Sequence, residues 1–109
     1  MRFTVLMPIH DLVELKLLKK AIYSILNSNK IPNEFLIMID GDISTDKKYF
    51  LKKINKEKYV RIVYKKKVGL IKILNEGLKL AKCSIIARAD SDDINNKFRF
   101  EKQIKYFQS

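Results

Sequence analysis

Four short apolar runs alternate along the chain with four stretches of helical periodicity, and this alternation constrains the fold more than any other feature. The runs have the length and apolar character of buried strands; they are Phe3 to Ile9, Phe35 to Ile39, Val60 to Tyr64 and Ser84 to Ala89. Strands that alternate with helices predict an α/β fold. We expect a mostly parallel four-stranded sheet flanked by helices and joined by right-handed crossovers.

The helical stretches are bounded by residues that favour caps and turns. Asp11 followed by Glu14 predicts a capping box at the start of the first helix. Asn27 to Lys30 ends that helix, and Pro32 prevents it from resuming. The apolar face of this helix consists of Leu15, Leu18, Ile22, Ile25 and Leu26. The later helices are predicted from about Ser44 to Ile54, from Leu70 to Ala81 and from about Lys97 to Phe107.

Length and composition indicate a single folded domain covering residues 1–109. The chain has 109 residues, 47% of them hydrophobic, with only three glycines and two prolines, which argues against disorder. The single cysteine, Cys83, rules out a disulfide framework and favours a reducing compartment. No apolar run approaches the roughly 20 residues of a membrane span, and the start of the chain does not resemble a signal peptide. We therefore expect a cytoplasmic location, with the inner face of the membrane as one setting.

A formal net charge of +11 favours anionic partners. Nucleic acid, acidic lipid and phosphorylated small molecules all qualify, and a lysine-rich solvated surface without a specific partner is an equal alternative. The charge therefore motivates two hypotheses besides an enzyme. One is a basic nucleic-acid-binding module, and the other is a domain that contacts a membrane surface.

Polar and acidic side chains follow three of the four predicted strands at the point where each strand ends. They are His10 and Asp11 after the first strand, Asp40 and Asp42 after the second, and Asp90, Asp92 and Asp93 after the fourth. The carboxyl ends of parallel strands meet at one edge of a sheet, where ligands bind in open α/β folds. Residues that are far apart in the sequence are therefore expected to form one site.

The Asp90-Ser91-Asp92-Asp93 segment is the sharpest candidate within that site. Three carboxylates so close together repel one another unless a cation is present, and carboxylate oxygens suit Mg²⁺ or Mn²⁺. Residues two apart on an extended strand lie roughly 6–7 Å apart. Asp90 and Asp92 could thus serve different purposes, one on the ligand and one on the metal. The alternative is that these acids cap the following helix.

Other candidates have an ordinary structural explanation beside a functional one. Asp40 either begins an Asp-Gly turn or accepts a hydrogen bond from a nucleotide base or ribose. Gly69 is either a simple turn residue or brings backbone N–H groups near a phosphate. His10, the only histidine, is more typical of a loop than of a catalytic base. No catalytic residue is assigned from the sequence.

Several segments, taken in order, resemble glycosyltransferase family 2. The stretch from Ile86 to Ile94, followed by Arg99 and Gln103, is similar to the Asp-x-Asp signature of that family. The remaining matches cover the opening strand, the second strand and the segment before the signature; they are Val5 to His10, Ile37 to Gly41, Gly69-Leu70, Leu74 to Leu78 and Ala81. Each piece is short, but the ordered set covers nearly the whole chain.

The resemblance implies the Rossmann-like half of a GT-A domain that binds a nucleotide-diphospho-sugar, most often a UDP-sugar. Carried over by position, Asp40 would contact the base, Asp90 the ribose or sugar, and Asp92 a Mg²⁺ or Mn²⁺ ion. Pro8 and His10 would line the nucleotide pocket. The metal would neutralise the diphosphate leaving group. The implied acceptor is a glycan in bacterial cell-surface polysaccharide synthesis, with no nucleic acid as partner. Lys65 to Lys67 and Arg88 are further phosphate or structural partners.

The chain departs from the family pattern in three places and in length. Asp11 stands where the family often has Asn, the run from Asp42 to Asp46 differs from the usual one, and Lys97 replaces a proline. A complete domain of the family is about twice as long, and its later half supplies the acceptor site and the general base. The resemblance thus implies a truncated domain that transfers sugar poorly or not at all alone. Its exposed apolar sheet edge would favour homo-oligomers.

Overall fold

The structure is a computed structural model, and it describes residues 1–108. Strands and helices alternate through this range as the sequence predicts, with small differences at their ends. In chain order they are β1 Phe3–Ile9, α1 Leu15–Leu26, β2 Glu34–Asp40, α2 Thr45–Ile54, β3 Val60–Lys65, α3 Leu70–Leu80, β4 Ile85–Arg88 and α4 Arg99–Gln108. The predicted α/β fold class is confirmed.

The four strands form one sheet in the order β3-β2-β1-β4, and every neighbouring pair is parallel. The chain first builds outward from β1 through β2 to β3, and then crosses back to place β4 on the other side of β1. The direction in which successive strands are added to the sheet therefore reverses when β4 is placed beside β1. In open α/β sheets, such a reversal leaves a crevice at the carboxyl ends of the two strands, where ligands bind.

The helices cover both faces of the sheet. Residues of α1, α2 and α4 pack with one face of β1 and β2 in the larger core, which includes Phe3, Ile22, Phe50 and Phe100. Residues of α3 pack on the other face, in a smaller core centred on Ile73. Right-handed crossovers explain this split, because reversing the direction of building moves the connecting helix to the opposite face. Both central strands are thus buried on both sides, which explains their continuous apolar runs.

Gly77 lets the backbone of helix α3 approach the side chains of the sheet closely. A Cβ atom at this position would lie 2.6 Å from Leu6 Cδ1 and 3.1 Å from Met38 Cγ. Only glycine leaves room for β1 and β2 side chains against the helix backbone. The packing of α3 in turn fixes Gly69 and Leu70, which lie at the carboxyl edge of the sheet.

The predicted capping box at the start of α1 is wrong. Glu14 is the N-cap residue, and it makes no side-chain capping hydrogen bond. Asp11 instead accepts hydrogen bonds from the Ser44 backbone N–H at 2.8 Å and from Lys47 Nζ at 3.1 Å. The carboxylate has turned away from its own helix because the first turn of α2 offers it two donors, one of them charged.

The outer side of β4 carries an apolar groove. Within residues 1–108, β4 pairs with β1 alone, so its other edge is open. The groove along that edge has a volume of about 360 Å³, and Phe100, Ile104 and Phe107 of α4 contribute to its lining. The expected exposed apolar edge is therefore present, while self-association through it stays a prediction.

No helix found in residues 1–108 combines the length and the apolar character that crossing a membrane would need.

Candidate functional site

A depression of about 560 Å³ opens between the carboxyl ends of β1 and β4. Four of the five residues that the family resemblance assigns to the nucleotide and metal site line it, namely Pro8, His10, Asp90 and Asp92. They come from the end of β1, the loop that follows β1 and the loop that follows β4. The reversal of strand order therefore brings together side chains that are about 80 positions apart in the sequence.

Pro8 explains why the depression opens where it does. The Leu6 carbonyl faces β4, because it accepts a hydrogen bond from the Ala89 N–H at 3.0 Å. Backbone groups alternate sides along a strand, so position 8 also faces β4, and proline has no N–H to donate there. Pairing between β1 and β4 accordingly ends at Leu6 and Arg88. Beyond that point the two strands are free to separate, and the crevice forms.

His10 organises the loop that begins at the end of β1. Its exposed imidazole accepts a hydrogen bond from the Leu12 N–H at Nδ1, with a distance of 3.1 Å. His10 therefore shapes one wall of the depression through this turn. Its predicted contact with a nucleotide stays a prediction.

Asp11 and Lys47 attach the same loop to α2. The Lys47 side chain is only 9% exposed, and its ammonium donates to both the backbone carbonyl and the carboxylate of Asp11. The Ser44 N–H, and after it the Lys47 ammonium, hold the pKa of the Asp11 carboxyl below its ordinary value. Lys47 was not singled out in the sequence, because its partner lies 36 residues away and no local pattern marks the pair.

Replacing Lys47 by Met should raise the pKa of the Asp11 carboxyl, while the remaining Ser44 N–H keeps it below the ordinary value. Because folding depresses this pKa, the contact stabilises the protein above the ordinary Asp pKa of about 3.9 and is lost as the pH falls through the depressed value. Carboxyl-detected NMR titration measures the shift directly. Lys48→Met, at an exposed neighbouring lysine, is the matched control. An unchanged Asp11 pKa in the Lys47 variant would contradict the assignment.

The two carboxylates in the loop after β4 that line the depression differ in their contacts. Asp90 Oδ1 forms an ion pair with Arg88, 3.2 Å from Nη2, and also accepts from Nε at 3.2 Å. Asp92 is exposed, and among residues 1–108 no hydrogen bond or ion pair engages its carboxylate. One acid is therefore charge-compensated within the protein, and the other is available to an external cation.

Arg99, the first residue of α4, binds both ends of the loop that follows β4. Its Nη2 donates to the Arg88 carbonyl at 2.7 Å, and its Nη1 donates to the Asn95 side-chain oxygen. Burial lowers the pKa of the guanidinium, whereas the Asp90 and Asp93 carboxylates oppose that shift. An arginine stays charged under such conditions. The charged guanidinium of Arg99 therefore holds the acidic loop in place.

The donor set at this loop fits a divalent cation that is shared with a ligand. Mg²⁺ and similar ions commonly take one or two protein carboxylates and complete their shell with phosphate oxygens and water. Asp92 provides a free carboxylate of this kind, and Asp90 lines the same depression. No group of three or more His, Cys, Asp or Glu residues suited to a metal occurs within the described range. An ion here would therefore need a diphosphate or a similar ligand to complete its coordination.

Asp40 lies outside the depression. Its carboxylate accepts hydrogen bonds from the Val68 N–H at 2.8 Å and the Gly69 N–H at 3.2 Å, and so it fixes the loop between β3 and α3. Gly69 has a φ of +93°, which explains why glycine occupies the start of α3. Gly69 is therefore a turn residue whose own N–H already has a partner, and the approach of a phosphate to this helix start stays a prediction. A carboxylate has further lone pairs, so a contact between Asp40 and a nucleotide base stays a prediction.

The lysines proposed as phosphate partners occupy a second depression. Lys65 to Lys67 line a cavity of about 500 Å³ together with Gly41 and Lys48, on the β3 side of the sheet. Lys65 lies 3.8 Å from a Glu76 carboxylate oxygen. Arg88, by contrast, lines the depression that holds Asp90 and Asp92. Of these two proposals, only Arg88 lies beside the acidic loop.

Comparison with known proteins identifies relatives of one kind. The model of the family described as Glycosyl transferase family 2 matches residues 4–109. The chain is 32% identical over 108 residues to the amylovoran biosynthesis glycosyltransferase AmsE of Erwinia amylovora, covering 98% of this chain and 41% of that protein. It is 33% identical over 103 residues to the UDP-Gal:alpha-D-GlcNAc-diphosphoundecaprenol beta-1,3-galactosyltransferase of Escherichia coli, covering 92% of this chain and 37% of that protein.

Solved structures share the fold over nearly the whole chain. Staphylococcus aureus TarS 1-349 in complex with UDP-GlcNAc superposes with a TM-score of 0.82 at 21% identity, covering 99% of this chain and 31% of that one. The mannosyltransferase PcManGT from Pyrobaculum calidifontis, in complex with GDP-Man and Mn²⁺, gives a TM-score of 0.82 at 16% identity, covering 99% of this chain and 32% of that one. At these identities the likeness establishes the GT-A fold.

Proposed function

The chain belongs to glycosyltransferase family 2, and on that premise we propose that it forms the donor-binding part of a metal-dependent transferase that uses a nucleotide-diphospho-sugar. The observation that carries the proposal is the depression where β1 and β4 separate. It combines an uncompensated carboxylate, Asp92, with an Arg88–Asp90 ion pair at the edge where open α/β sheets bind ligands.

Each residue of the site has a distinct part in holding the donor. Asp92 would ligate a Mg²⁺ or Mn²⁺ ion, which supplies Lewis-acid neutralisation of the diphosphate leaving group. Arg88, which is exposed and flanks Asp90, would offer its guanidinium to a phosphate oxygen. Asp90 would then accept hydrogen bonds from the ribose or sugar hydroxyls. Pro8 and His10 would bound the nucleotide pocket, with Asp40 at its base-binding end.

The relatives support a proposal for the classes of donor and acceptor. The Escherichia coli relative is named for UDP-Gal and a diphosphoundecaprenol-linked acceptor, and the Erwinia amylovora relative for amylovoran biosynthesis. We therefore propose a UDP-sugar as donor and a glycan of a cell-surface polysaccharide as acceptor, with the reaction on the cytoplasmic side. The fold neighbours were solved with UDP-GlcNAc and with GDP-Man, so a GDP-sugar is the competing donor class.

Donor binding tests this proposal more directly than sugar transfer, since no described residue is assigned as the general base. Isothermal titration calorimetry of the chain with UDP, in Mn²⁺ and then in excess chelator, should show binding that depends on the metal. GDP in Mn²⁺ should bind more weakly than UDP. The proposal would be abandoned if neither nucleotide bound in Mn²⁺, or if removing the metal left the affinity unchanged.

A further inference from the structure

The outward-facing sides of α1 and α2 concentrate positive charge. Their exposed lysines are Lys16, Lys19, Lys20, Lys48, Lys52 and Lys53, and we call this surface the α1–α2 face. Asp46, in the first turn of α2, is the single acidic residue in the two helices. Such an excess of one sign is more than a solvated surface needs, because soluble helices usually mix charges along their exposed sides.

The α1–α2 face is one continuous surface. Both helices pack on the same face of the sheet, and the Tyr23 ring of α1 contacts the Phe50 ring of α2 with centroids 5.5 Å apart. Lys19 Nζ lies 5.7 Å from the same Phe50 ring, so it spans the seam between the helices. A depression of about 480 Å³ beside α1 adds Lys97 to this surface, and its lining contains no acidic residue.

Helix α3, on the opposite face of the sheet, carries fewer lysines. There α3 exposes Lys72 and Lys79, and Glu76 lies between them in the sequence. The shortest principal extent of the molecule is 22 Å, more than twice the Debye length of about 10 Å at 0.1 M salt. At physiological ionic strength, salt therefore largely screens the exposed charges on one side from those on the other.

We propose that the α1–α2 face docks on an anionic lipid surface. Lysine side chains on neighbouring helices can reach lipid headgroups together, and each such lysine strengthens binding to an anionic membrane by roughly fivefold. The half-exposed Tyr23 and the exposed Tyr49 have the amphipathic rings that favour a membrane–water boundary. In this orientation the carboxyl edge of the sheet, which carries Asp90 and Asp92, lies beside the membrane contact and stays accessible to a ligand.

The same contacts argue against a nucleic acid as the partner. Single strands are held by aromatic rings whose faces are free for base stacking. Here Lys53 Nζ lies 4.7 Å from the centre of the Tyr49 ring, so one face of that ring is already covered. The lysines lie on two helices that pack against each other.

Vesicle co-sedimentation of two charge-matched variants tests this proposal. Lys16/Lys20/Lys52→Gln removes three charges from the α1–α2 face, and Lys72/Lys79/Lys82→Gln removes three exposed charges from elsewhere. Binding to vesicles of phosphatidylglycerol and phosphatidylcholine should fall on the order of 100-fold for the first variant. It should fall only about threefold or less for the second, because its charges are screened from the contact. A Lys16/Lys20/Lys52→Arg variant keeps the charge and should bind like the original.

Three results would overturn the proposal. They are equal losses in the two glutamine variants, equal binding to vesicles of phosphatidylcholine alone, and tighter binding to DNA or RNA than to anionic vesicles at the same salt concentration. Circular dichroism of each variant shows that it is folded, and these lysines lie outside the donor site. No nucleotide enters the assay, so its outcome is independent of the proposed sugar-donor function.

Discussion

Replacing Asp92 by Asn is expected to weaken UDP binding in Mn²⁺ by roughly 100-fold or more. Changing a residue that merely orients a metal ligand costs about 10- to 100-fold in metal affinity, so losing a ligand should cost at least that much. Asparagine keeps the shape of the side chain but loses the charge. Because Asp92 has no partner among residues 1–108, the substitution breaks no contact that stabilises the fold. Calorimetry in Mn²⁺ measures the effect.

Asp93→Asn is the matched control for this prediction. Asp93 is exposed, carries the same charge and sits in the same loop, but it does not line the depression. Its replacement should change the affinity for UDP by only a small factor. With the metal chelated, the Asp92 variant and the original chain should bind UDP equally weakly. Equal effects of the two substitutions in Mn²⁺ would show that the loop acts only through its net charge.

Replacing Gly77 by Val should destabilise the protein by about 3 kcal/mol, near the upper end of the cost of overpacking. The first added carbon would lie 2.6 Å from Leu6 Cδ1 and 3.1 Å from Met38 Cγ, and valine adds two methyl groups beyond it. Both neighbours belong to buried strands, so they have little room to move away. The free energy of unfolding in urea measures the loss.

Lys79→Val separates overpacking from helix propensity. It places the same β-branched residue in the same helix at an exposed position, and β-branched residues cost a few tenths of a kcal/mol in helices. We expect a loss of less than about 1 kcal/mol for this control. Comparable losses in the two variants would mean that α3 does not pack against β1 and β2 as closely as the structure shows.

The fold was predictable because its signals are local. Strands buried on both faces must be apolar throughout, so their runs stand out from the amphipathic helices between them. Right-handed crossovers then leave few ways to arrange four parallel strands. The resemblance in the segment Asn75-Glu76-Gly77 placed α3 before the signature. It did not reveal that Gly77 is required by the side chains of Leu6 and Met38.

The site was predictable only where it depends on strand ends. Pro8, His10, Asp90 and Asp92 meet because β1 and β4 are neighbours whose pairing stops early. Asp40 ends β2, which lies on the other side of β1 from β4, so it lies outside the same depression. Periodicity in the sequence predicts strands but not their order, and the position of Asp40 depends on that order.

Contacts between distant residues escaped prediction altogether. Asp11 has the spacing of a capping box, but Ser44 and Lys47 offered stronger partners. Glu34 was not expected within a strand. Its buried carboxylate accepts hydrogen bonds from the Thr4 hydroxyl and the Lys82 N–H, both at 2.8 Å, at the amino edge of the sheet. Such pairs leave no periodic trace, because each partner is set by tertiary packing rather than by its neighbours in sequence.

The position of a bound Mn²⁺ ion tests the account most directly, because the donor site is defined by Asp92 and the separation of β1 from β4. Adding Mn²⁺ with UDP to the isotope-labelled chain broadens the amide signals nearest the ion. We predict the strongest broadening at Asp90 to Asp93, weaker broadening at His10 to Glu14, and none at Lys82 and Cys83 on the opposite edge of the sheet. Broadening centred on Lys65 to Lys67 or on the amino edge would place the ion elsewhere and contradict the proposed site.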